Sequence, residues 1–178
     1  MVTRLSLENE RLSKLCVLVA DPVFQLRKII HNILIHNIGV ESVLEAANGE
    51  AALEIITDNP CDVLILDVSM RPLGGIELAR RIREGEEKTN QFTPIIMTSD
   101  QPEMKDVIKA RDVGVSEYLA KPLSPKILDL RLRALMHHPR PFVQSETFFG
   151  PDRRRHKDKE NANDERRTHA PHVIESPK

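Results

Sequence analysis

The hydrophobic positions of the chain form short apolar runs that are separated by longer amphipathic segments. Apolar runs without interrupting polar residues are typical of strands buried on both faces of a parallel sheet. The predicted strands cover residues 15–20, 42–46, 62–67, 94–97 and 117–120. The run at 62–67, Asp-Val-Leu-Ile-Leu-Asp, is the most continuous and ends on a carboxylate. We therefore expect a central buried strand with an acid at its carboxyl end.

Between these runs, apolar residues recur at the spacing of one helix face and predict a helix after each strand. Asp21 is predicted to cap the first of these helices, with Pro22 as its first residue. Ser124 and Pro125 begin the last helix in the same way, and Pro139 follows its end. The helix predicted over residues 102–112 is less amphipathic than the others. Residues 1–13 are polar and form either a short leader helix or a frayed arm.

Strands that alternate with helices predict an α/β domain with three layers, in which helices cover both faces of a doubly wound parallel sheet. All parallel strands of such a sheet end at one edge, and ligands bind in the crevice beyond that edge. Four polar residues stand at or just past predicted strand ends and should converge there: Asp21, Asp67, Ser99 and Lys121.

Two carboxylates, a hydroxyl and an ammonium in one crevice suit phosphoryl transfer. The Asp67 carboxylate can attack a phosphoryl group and form an acyl phosphate. Such a transfer requires mainly positioning and charge neutralisation from the protein. Lys121 can supply a positive charge and Ser99 a hydrogen-bond donor to phosphoryl oxygens, and Mg²⁺ held by one or two carboxylates would complete the set. Because the crevice has no histidine placed as a base and no phosphate-binding glycine loop, neither a hydrolytic triad nor a nucleotide kinase is favoured.

Composition narrows the class of protein. The chain has 178 residues, of which 40% are hydrophobic and 30% charged, a balance that fits one globular domain with an additional segment. The formal net charge of -1 argues against a dedicated nucleic-acid binder. No apolar stretch approaches the roughly 20 residues that span a bilayer, and the first residues lack the apolar core of a signal peptide. We expect a soluble, cytoplasmic protein without membrane insertion.

The residues at the strand ends also resemble the motifs of a known family in their order and spacing. Asp21, Asp-Val-Ser-Met-Arg-Pro-Leu-Gly-Gly at 67–75, Pro-Ile-Ile-Met-Thr-Ser at 94–99 and Tyr-Leu-Ala-Lys-Pro at 118–122 are similar to the motifs of response regulator receiver (CheY-like) domains. Each motif alone is weakly specific, but the ordered set is highly specific. The resemblance covers about residues 14–138 and implies the flavodoxin-like or CheY-like strand order 2-1-3-4-5.

The resemblance also implies a mechanism and a role for each matching residue. A sensor histidine kinase or a histidine phosphotransfer protein would donate the phosphoryl group, and a downstream protein would be the target. The cis peptide of the family would fall between Lys121 and Pro122, and cis bonds are least costly before proline. The implied site consists of the phosphoacceptor Asp67, the phosphoryl contact Lys121, the switch residues Ser99 and Tyr118, and the Mg²⁺ ligands Asp21, Asp67 and Ser69, the last through its backbone carbonyl.

Two positions depart from the family pattern. The family usually has two adjacent acids where this chain has Asp21 followed by Pro22, and the missing acid is the one that contacts the metal directly. Losing an anionic ligand should weaken Mg²⁺ binding. Arg71 stands where the family often has proline, which puts a cation near the site.

Residues 139–178 form a second region of mixed charge. Nine Lys and Arg residues stand against seven Asp and Glu residues there, so the charge is too balanced for a nucleic-acid tail. Apolar periodicity is absent, which argues against a helix-turn-helix domain, and disorder is the default prediction. Phe142, Phe148 and Phe149 nevertheless suggest an anchor that docks on the last helix or on a partner, with residues 153–155, all arginine, as its charged rim.

These observations favour a stand-alone response regulator that is phosphorylated on Asp67 and signals through protein contacts. It would not be an enzyme beyond receiving and losing its own phosphoryl group, and a weak homodimer is compatible with it. The alternative is a phosphorylation-independent pseudo-receiver scaffold that binds partners through its tail, which Pro22 favours and the otherwise complete site opposes. A hydrolase with an aspartate nucleophile ranks below both, because Ser69 occupies the place of its second acid.

Overall fold

A parallel sheet of five strands forms the centre of the computed structural model, which describes residues 4–85, 89–145, 148–152 and 172–174. The strands are β1 (Cys16–Ala20), β2 (Ser42–Ala46), β3 (Val63–Asp67), β4 (Ile95–Ser99) and β5 (Glu117–Ala120). Their order in the sheet is β2-β1-β3-β4-β5. The predicted order is confirmed, and the central strand is the one that ends on Asp67.

Helices follow the strands at nearly the predicted positions. They are α1 (Arg4–Ser13), α2 (Phe24–Asn32), α3 (Gly49–Asp58), α4 (Gly75–Glu84), α5 (Met104–Asp112) and α6 (Pro125–His137), and a π-helical segment, Ile33–Ile38, continues α2. Ser124 caps α6 as predicted, accepting a hydrogen bond from the Ile127 amide. Within the described ranges, no helix combines the length and the apolar character that crossing a membrane requires.

Two buried cores lie on opposite faces of the sheet and give the molecule its three layers. Ile30 and Leu128 bring α2 and α6 onto one face, and Leu78 brings α4 onto the other. Neighbouring strand residues point to different faces, so Val19 belongs to the first core and Leu18 to the second. The three-layer α/β class is therefore confirmed.

The register of the strands brings their carboxyl ends to one edge. Asp67 of β3 lies beside Thr98 of β4, and Ser99 of β4 lies beside Ala120 of β5. All of these pairings are parallel, so the residues that follow each strand share the same crevice. The backbone thus assembles the crevice that the sequence predicted.

The helix cap predicted at Asp21 is wrong. Helix α2 begins only at Phe24, and the residue before it, Val23, makes no side-chain cap. One Asp21 oxygen accepts a hydrogen bond from the Val23 amide at 2.8 Å, while the other lies 2.5 Å from the Lys121 ammonium. Lys121 fixes the orientation of the Asp21 carboxylate. This carboxylate therefore closes the turn after β1 and does not reach the first turn of α2.

Part of the C-terminal region is folded, so the default prediction of disorder is wrong for these residues. The strands β6 (Phe142–Ser145), β7 (Phe148–Pro151) and β8 (His172–Ile174) form an antiparallel sheet in the order β7-β6-β8. Phe142 packs against Phe92 and Phe149, with ring centroids 5.1 and 5.4 Å apart. The suggested aromatic anchor is present in Phe142 and Phe149. Its ring contacts are with Phe92 in the loop before β4, whereas the sequence suggested docking on the last helix or on a partner. The charged rim suggested at residues 153–155 lies outside the described residues.

The N-terminal residues 4–13 are helical, which selects the helix over the frayed arm. Leu12 of α1 is fully buried and belongs to the core that also contains Leu128 and Leu132 of α6. A fully buried leucine contributes on the order of 1.5–3 kcal/mol to stability. Helix α1 is therefore packed as part of the domain.

Candidate functional site

Four polar side chains meet at the carboxyl edge of the sheet. Asp21 follows β1, Asp67 ends β3, Ser99 ends β4 and Lys121 follows β5. Asp67 is 0% exposed and Asp21 is 1% exposed, and the Lys121 side chain is 4% exposed. Buried ionised groups are costly unless they are paired, so the arrangement of these groups relative to one another determines whether the crevice is stable.

Lys121 satisfies both carboxylates at once. Its ammonium nitrogen lies 2.5 Å from Asp21 Oδ2 and 2.6 Å from Asp67 Oδ2. Burial acts to lower the pKa of Lys121, but hydrogen bonds to Asp21 and Asp67 and the attraction of both charges outweigh it and raise the pKa above its usual value. The lysine therefore stays charged and holds the two acids together.

The second oxygen of Asp67 is held by the residue two positions further along. Ser69 donates to Asp67 Oδ1 through its backbone amide, at 2.7 Å, and also through its hydroxyl. With Lys121 on Oδ2, the carboxylate of Asp67 is fixed in orientation at the end of β3. The sequence predicted a role only for the carbonyl of Ser69, so the contact from its hydroxyl is an addition.

Ser99 and Tyr118 lie beside this cluster on β4 and β5. The Ser99 hydroxyl accepts a hydrogen bond from the Gln101 amide at 3.2 Å, and the Lys121 amide donates to the Ser99 carbonyl at 2.8 Å. Tyr118 is half-buried against the core that contains Leu78, and its buried hydroxyl has no hydrogen-bond partner within the described part of the chain. Among the described residues, the Ser99 hydroxyl is thus held by a long hydrogen bond and the Tyr118 hydroxyl by none.

Further contacts at the crevice were not predicted from the sequence. Asp100 Oδ2 lies 3.7 Å from the Lys121 nitrogen on a side chain that is 63% exposed, and its place directly after Ser99 was the available signal. Arg27 donates to the Asp21 carbonyl at 2.6 Å, for which the sequence offered no signal. Arg71, the cation expected near the site, donates to the Met70 carbonyl at 2.8 Å and so stabilises the loop after β3.

The loops around the crevice have an unusual backbone. The Lys121–Pro122 peptide is cis, and so is the Arg71–Pro72 peptide, which was not predicted. Gly75 starts α4 against the end of β3, where an added Cβ would lie 2.4 Å from the Asp67 carbonyl oxygen. This close approach requires glycine and sets α4 directly on the strand that carries Asp67.

The oxygen donors of the crevice fit Mg²⁺. Both carboxylates approach the same Lys121 nitrogen within 2.6 Å, so they are close enough to share one cation, and Mg²⁺ is commonly held by one or two carboxylates together with waters. Across the described ranges, however, no group of three or more acids, histidines or cysteines could hold a metal. Pro22 stands where the resemblance leads one to expect a further acid.

The geometry limits the chemistry that is possible here. A buried carboxylate with a fixed orientation and an adjacent ammonium can act as a nucleophile toward an anionic electrophile whose charge the ammonium helps to neutralise. No described histidine contacts Asp67 to serve as a general base. A phosphoryl group is the electrophile that suits these groups, because its transfer depends on positioning and charge more than on proton transfer.

Comparison with known proteins identifies the family. The family model described as the response regulator receiver domain matches residues 17–133, which is more than half of the chain. The chain belongs to the response regulator receiver family. The matched range includes every residue of the crevice, and the recognition made from the sequence motifs is confirmed.

Relatives of known identity support the same assignment. The chemotaxis protein CheY homolog of Campylobacter jejuni is 36% identical over 121 residues, which cover 67% of this chain and 91% of that protein. Chemotaxis protein CheY1 of Helicobacter pylori is 35% identical over 123 residues, covering 67% and 95% of the two chains. The phosphate regulon transcriptional regulatory protein PhoB of Pseudomonas aeruginosa is 34% identical over 125 residues, which cover 70% of this chain and 53% of PhoB.

Solved structures show the same fold. Vibrio cholerae chemotaxis protein CheY4 is similar with a TM-score of 0.61 and 28% identity, covering 67% of this chain and 97% of that one. The receiver domain of the Arabidopsis thaliana histidine kinase CKI1, complexed with Mg²⁺ and BeF₃⁻, is similar with a TM-score of 0.61 and 27% identity, covering 71% and 93%. The chain is thus a CheY-like receiver domain of the two-component type, and receiver domains in general bind Mg²⁺ and act in signalling with histidine kinases and downstream proteins.

Proposed function

We propose that Asp67 accepts a phosphoryl group from a phosphohistidine of a partner protein and that the phosphorylated chain signals through protein contacts. One observation carries this proposal: the buried Asp67 carboxylate is held at the carboxyl edge of the sheet against the Lys121 ammonium, at 2.6 Å. A buried carboxylate at a strand end needs such a cation to stay ionised. A lysine that stays charged can also bind the oxygens of a phosphoryl group.

In the proposed transfer, a carboxylate oxygen of Asp67 attacks the phosphorus of the phosphohistidine. A P–O bond forms while the P–N bond breaks, and the imidazole nitrogen keeps the electron pair and takes up a proton. Lys121, which is bound to Asp67 before the reaction, follows the negative charge to a phosphoryl oxygen. Hydrolysis of the resulting acyl phosphate by water returns the carboxylate and inorganic phosphate.

The signal would be carried by Ser99 and Tyr118. A phosphoryl group on Asp67 offers acceptor oxygens to the Ser99 hydroxyl, which among the described residues accepts a long hydrogen bond from the Gln101 amide. The Tyr118 hydroxyl has no partner in the described part of the chain, so it is free to follow. These new hydrogen bonds would shift the face formed by α5 and β5 from one of two arrangements to the other.

Mg²⁺ would be held by Asp21, Asp67 and the backbone carbonyl of Ser69. When bound, the ion supplies positive charge that neutralises the oxygens of the transferred group. Because Pro22 removes a carboxylate from this set, we propose that the chain binds Mg²⁺ more weakly than receivers with two adjacent acids. Lys121 already neutralises part of the negative charge, which further reduces the attraction for a cation.

We further propose a soluble, cytoplasmic protein whose partners are proteins. A sensor histidine kinase or a histidine phosphotransfer protein would be the donor, and a downstream protein the target. The balanced charge of the C-terminal region supports protein contacts and gives no support to nucleic-acid binding. A weak homodimer is compatible with the exposed apolar residues of α5 and α6, among them Met104 and Leu130.

The experiment is to measure the mass of the intact protein after incubation with a small phosphoramidate donor and Mg²⁺. We expect one phosphoryl adduct on the wild type and none on Asp67→Asn, which keeps the shape of the side chain. Asp100→Asn is the matched control because it removes an exposed carboxylate near Lys121, and it should keep the adduct. An adduct that persists in Asp67→Asn would contradict the assignment of the acceptor.

A second candidate is a pseudo-receiver scaffold that does not depend on phosphorylation. Pro22 and the three-stranded C-terminal sheet favour it, since one weakens the metal site and the other supplies a folded surface. The scaffold becomes the better hypothesis if neither the donor nor a histidine kinase phosphorylates the wild type at any Mg²⁺ concentration.

A further inference from the structure

The C-terminal strands pack at the amino edge of the main sheet, which is the end opposite to the crevice. Phe142 of β6 and Phe149 of β7 surround Phe92, which precedes β4, and the three ring centroids lie 5.1 to 5.4 Å apart. Phe142 and Val143 are buried. Aromatic pairs in this geometry stabilise a contact beyond the effect of burying their apolar area. The strands are therefore docked by a specific apolar contact.

Arg83 of α4 joins this contact to two loops of the receiver. Its guanidinium donates to the Gly114 carbonyl at 3.0 Å and to the Gln91 carbonyl at 2.6 Å, and it lies over the Phe142 ring at 5.2 Å. The residue is 4% exposed, and burial lowers its pKa to about 9. A charge buried at such cost is stabilised by its neighbours, and one of these is the ring supplied by β6.

The backbone of β7 also lies directly on the turn between α5 and β5. A Cβ added at Gly150 would come within 2.7 Å of the Gly114 Cα, and a Cβ added at Gly114 would lie 2.7 Å from the Phe149 carbonyl oxygen. Two glycines thus permit the backbones to touch. Packed interfaces of this kind hold discrete positions and do not deform continuously, so β7 fixes the position of this turn.

The C-terminal sheet contacts one end of α4 and the turn before β5. The opposite ends of α4 and β5 border the crevice. Helix α4 ends beside Arg83 and begins at Gly75 against the Asp67 carbonyl. The turn at Gly114 leads into β5, which carries Tyr118 and is followed by Lys121. A change at the crevice that shifts α4 or β5 must therefore also act on the contacts of β6 and β7.

We infer that the C-terminal sheet is an intramolecular restraint that opposes phosphorylation of Asp67 and is loosened by it. In this structure the docked strands contact Gly114 and Arg83 while Lys121 is bound to both carboxylates of the crevice. Any movement of α5 or β5 away from this arrangement has to break the contacts of β6 and β7 with Arg83 and Gly114. Undocking the strands removes this barrier and should therefore speed phosphorylation of Asp67, and phosphorylation should in turn favour undocking. The inference rests on the proposed function of Asp67.

The test compares full-length variants that undock β7 with a control on the same sheet. Gly150→Val adds bulk against Gly114 at a position whose backbone is not left-handed, so contact with Gly114 and the Phe148 ring is what changes. Phe149→Ala removes a ring from the aromatic cluster without adding bulk. Ser145→Ala alters an exposed residue of β6 and serves as the control.

Two readouts are needed. Amide hydrogen exchange over residues 142–150 reports docking, and the rate of adduct formation with phosphoramidate and Mg²⁺ reports the crevice. We expect Gly150→Val and Phe149→Ala to lose protection and to gain phosphoryl groups on the order of fivefold faster or more, with Ser145→Ala like the wild type. Phosphorylated wild type should also lose protection over these residues, and Asp67→Asn treated with the same donor should not.

The outcomes separate the two proposals. If the wild type forms an adduct and the undocked variants form it at the same rate, the restraint is refuted while the role of Asp67 stands. If both variants keep full protection over residues 142–150, the contacts described here do not hold the strands and the restraint is likewise refuted. If the wild type forms no adduct with any donor, the proposed function fails and the coupling fails with it.

Discussion

Lys121 determines the electrostatics of the crevice at the scale of single residues. Its ammonium lies within 2.6 Å of two buried carboxylates, Asp21 and Asp67. The cluster can therefore exist without a metal, but a phosphoryl group on Asp67 has to draw Lys121 away from one of its partners. The ion pairs that stabilise the resting fold are the same ones that the proposed reaction rearranges.

Removing the lysine should therefore destabilise the fold. Lys121→Met keeps most of the side-chain volume but leaves two adjacent carboxylates buried without a cation, and we expect a loss of about 3–5 kcal/mol in the free energy of unfolding at neutral pH. Urea denaturation measures this loss. Lys28→Met is the matched control, because Lys28 pairs with Glu45 at the surface and should change stability by less than about 1 kcal/mol. Equal losses in both variants would contradict the buried ion pairs.

The pH dependence of stability follows from the raised pKa of Lys121. The folded chain binds this proton more tightly than the unfolded chain, so the stabilisation is complete below the ordinary lysine pKa of about 10.4 and is lost as the pH rises through the folded-state pKa. We expect the difference in unfolding free energy between the wild type and Lys121→Met to shrink as the pH rises above the ordinary lysine pKa of about 10.4. A difference that grows over this range would contradict the sign of the shift.

Pro22 gives a prediction about the metal. Pro22→Asp restores an acid beside Asp21, and we expect the dissociation constant for Mg²⁺ to fall on the order of tenfold, because a hard cation gains an anionic oxygen ligand. The chain has one tyrosine and no tryptophan, so the fluorescence of Tyr118 can follow the Mg²⁺ titration. Pro22→Ala is the control, since it removes the ring without adding a ligand. Equal tightening of Mg²⁺ binding in both variants would attribute the effect to loss of the proline ring and contradict the role of a further acid.

At the scale of elements, the junction of β3 with α4 depends on Gly75. A Cβ at Gly75 would strike the Asp67 carbonyl oxygen at 2.4 Å, whereas a Cβ at Gly74 meets nothing closer than 3.5 Å. We expect Gly75→Ala to cost about 1–3 kcal/mol and to slow adduct formation on Asp67, and Gly74→Ala to change neither by a measurable amount. Thermal unfolding and intact mass check the two effects. A neutral Gly75→Ala would show that α4 can move away from the strand.

The elements of the receiver could be predicted because their signals are local. Buried strands appear as continuous apolar runs and helices as one-sided periodicity, so the sheet, its layers and the convergence of Asp21, Asp67 and Lys121 followed from the sequence. The prediction of a cap at Asp21 is wrong because the competing partner, Lys121, is distant in sequence and pairs with Asp21 only in the folded chain. At Asp21 the ion pair with Lys121 outweighs the local preference of aspartate for capping a helix.

The C-terminal strands and the finer contacts of the crevice lay beyond sequence reasoning for a related reason. Strand β6 is short and carries exposed polar residues after Phe142 and Val143, and it is stabilised by Phe92 and Arg83, which are far away along the chain. Nothing local distinguishes such a strand from a disordered segment. The hydrogen bond from the Ser69 hydroxyl to Asp67 depends on a side-chain rotamer, which the spacing of residues in the sequence does not encode.

At the scale of the whole molecule, the described C-terminal strands share a buried cluster with the receiver. Phe142 is 5% exposed and contacts Phe92, Phe149 and Arg83. If this cluster is part of one cooperative unit, a change within it alters the unfolding of the entire chain. If the strands open separately, the same change increases hydrogen exchange over residues 142–150 and leaves global unfolding as it was.

A pair of phenylalanine substitutions distinguishes these cases. Phe142→Ala removes a buried ring, and in a single cooperative unit we expect a loss of about 3 kcal/mol or more in the free energy of unfolding. Phe24→Ala makes the same chemical change at a residue that is 56% exposed and lies over Arg27 and Lys28, so it should cost no more than about 1 kcal/mol. Urea denaturation followed by far-UV circular dichroism and by Tyr118 fluorescence should give coincident transitions for both variants. If both variants lose little unfolding free energy and only Phe142→Ala shows faster hydrogen exchange over residues 142–150, the strands open as a separate unit. The restraint that they exert on the crevice is then no larger than the free energy of that opening.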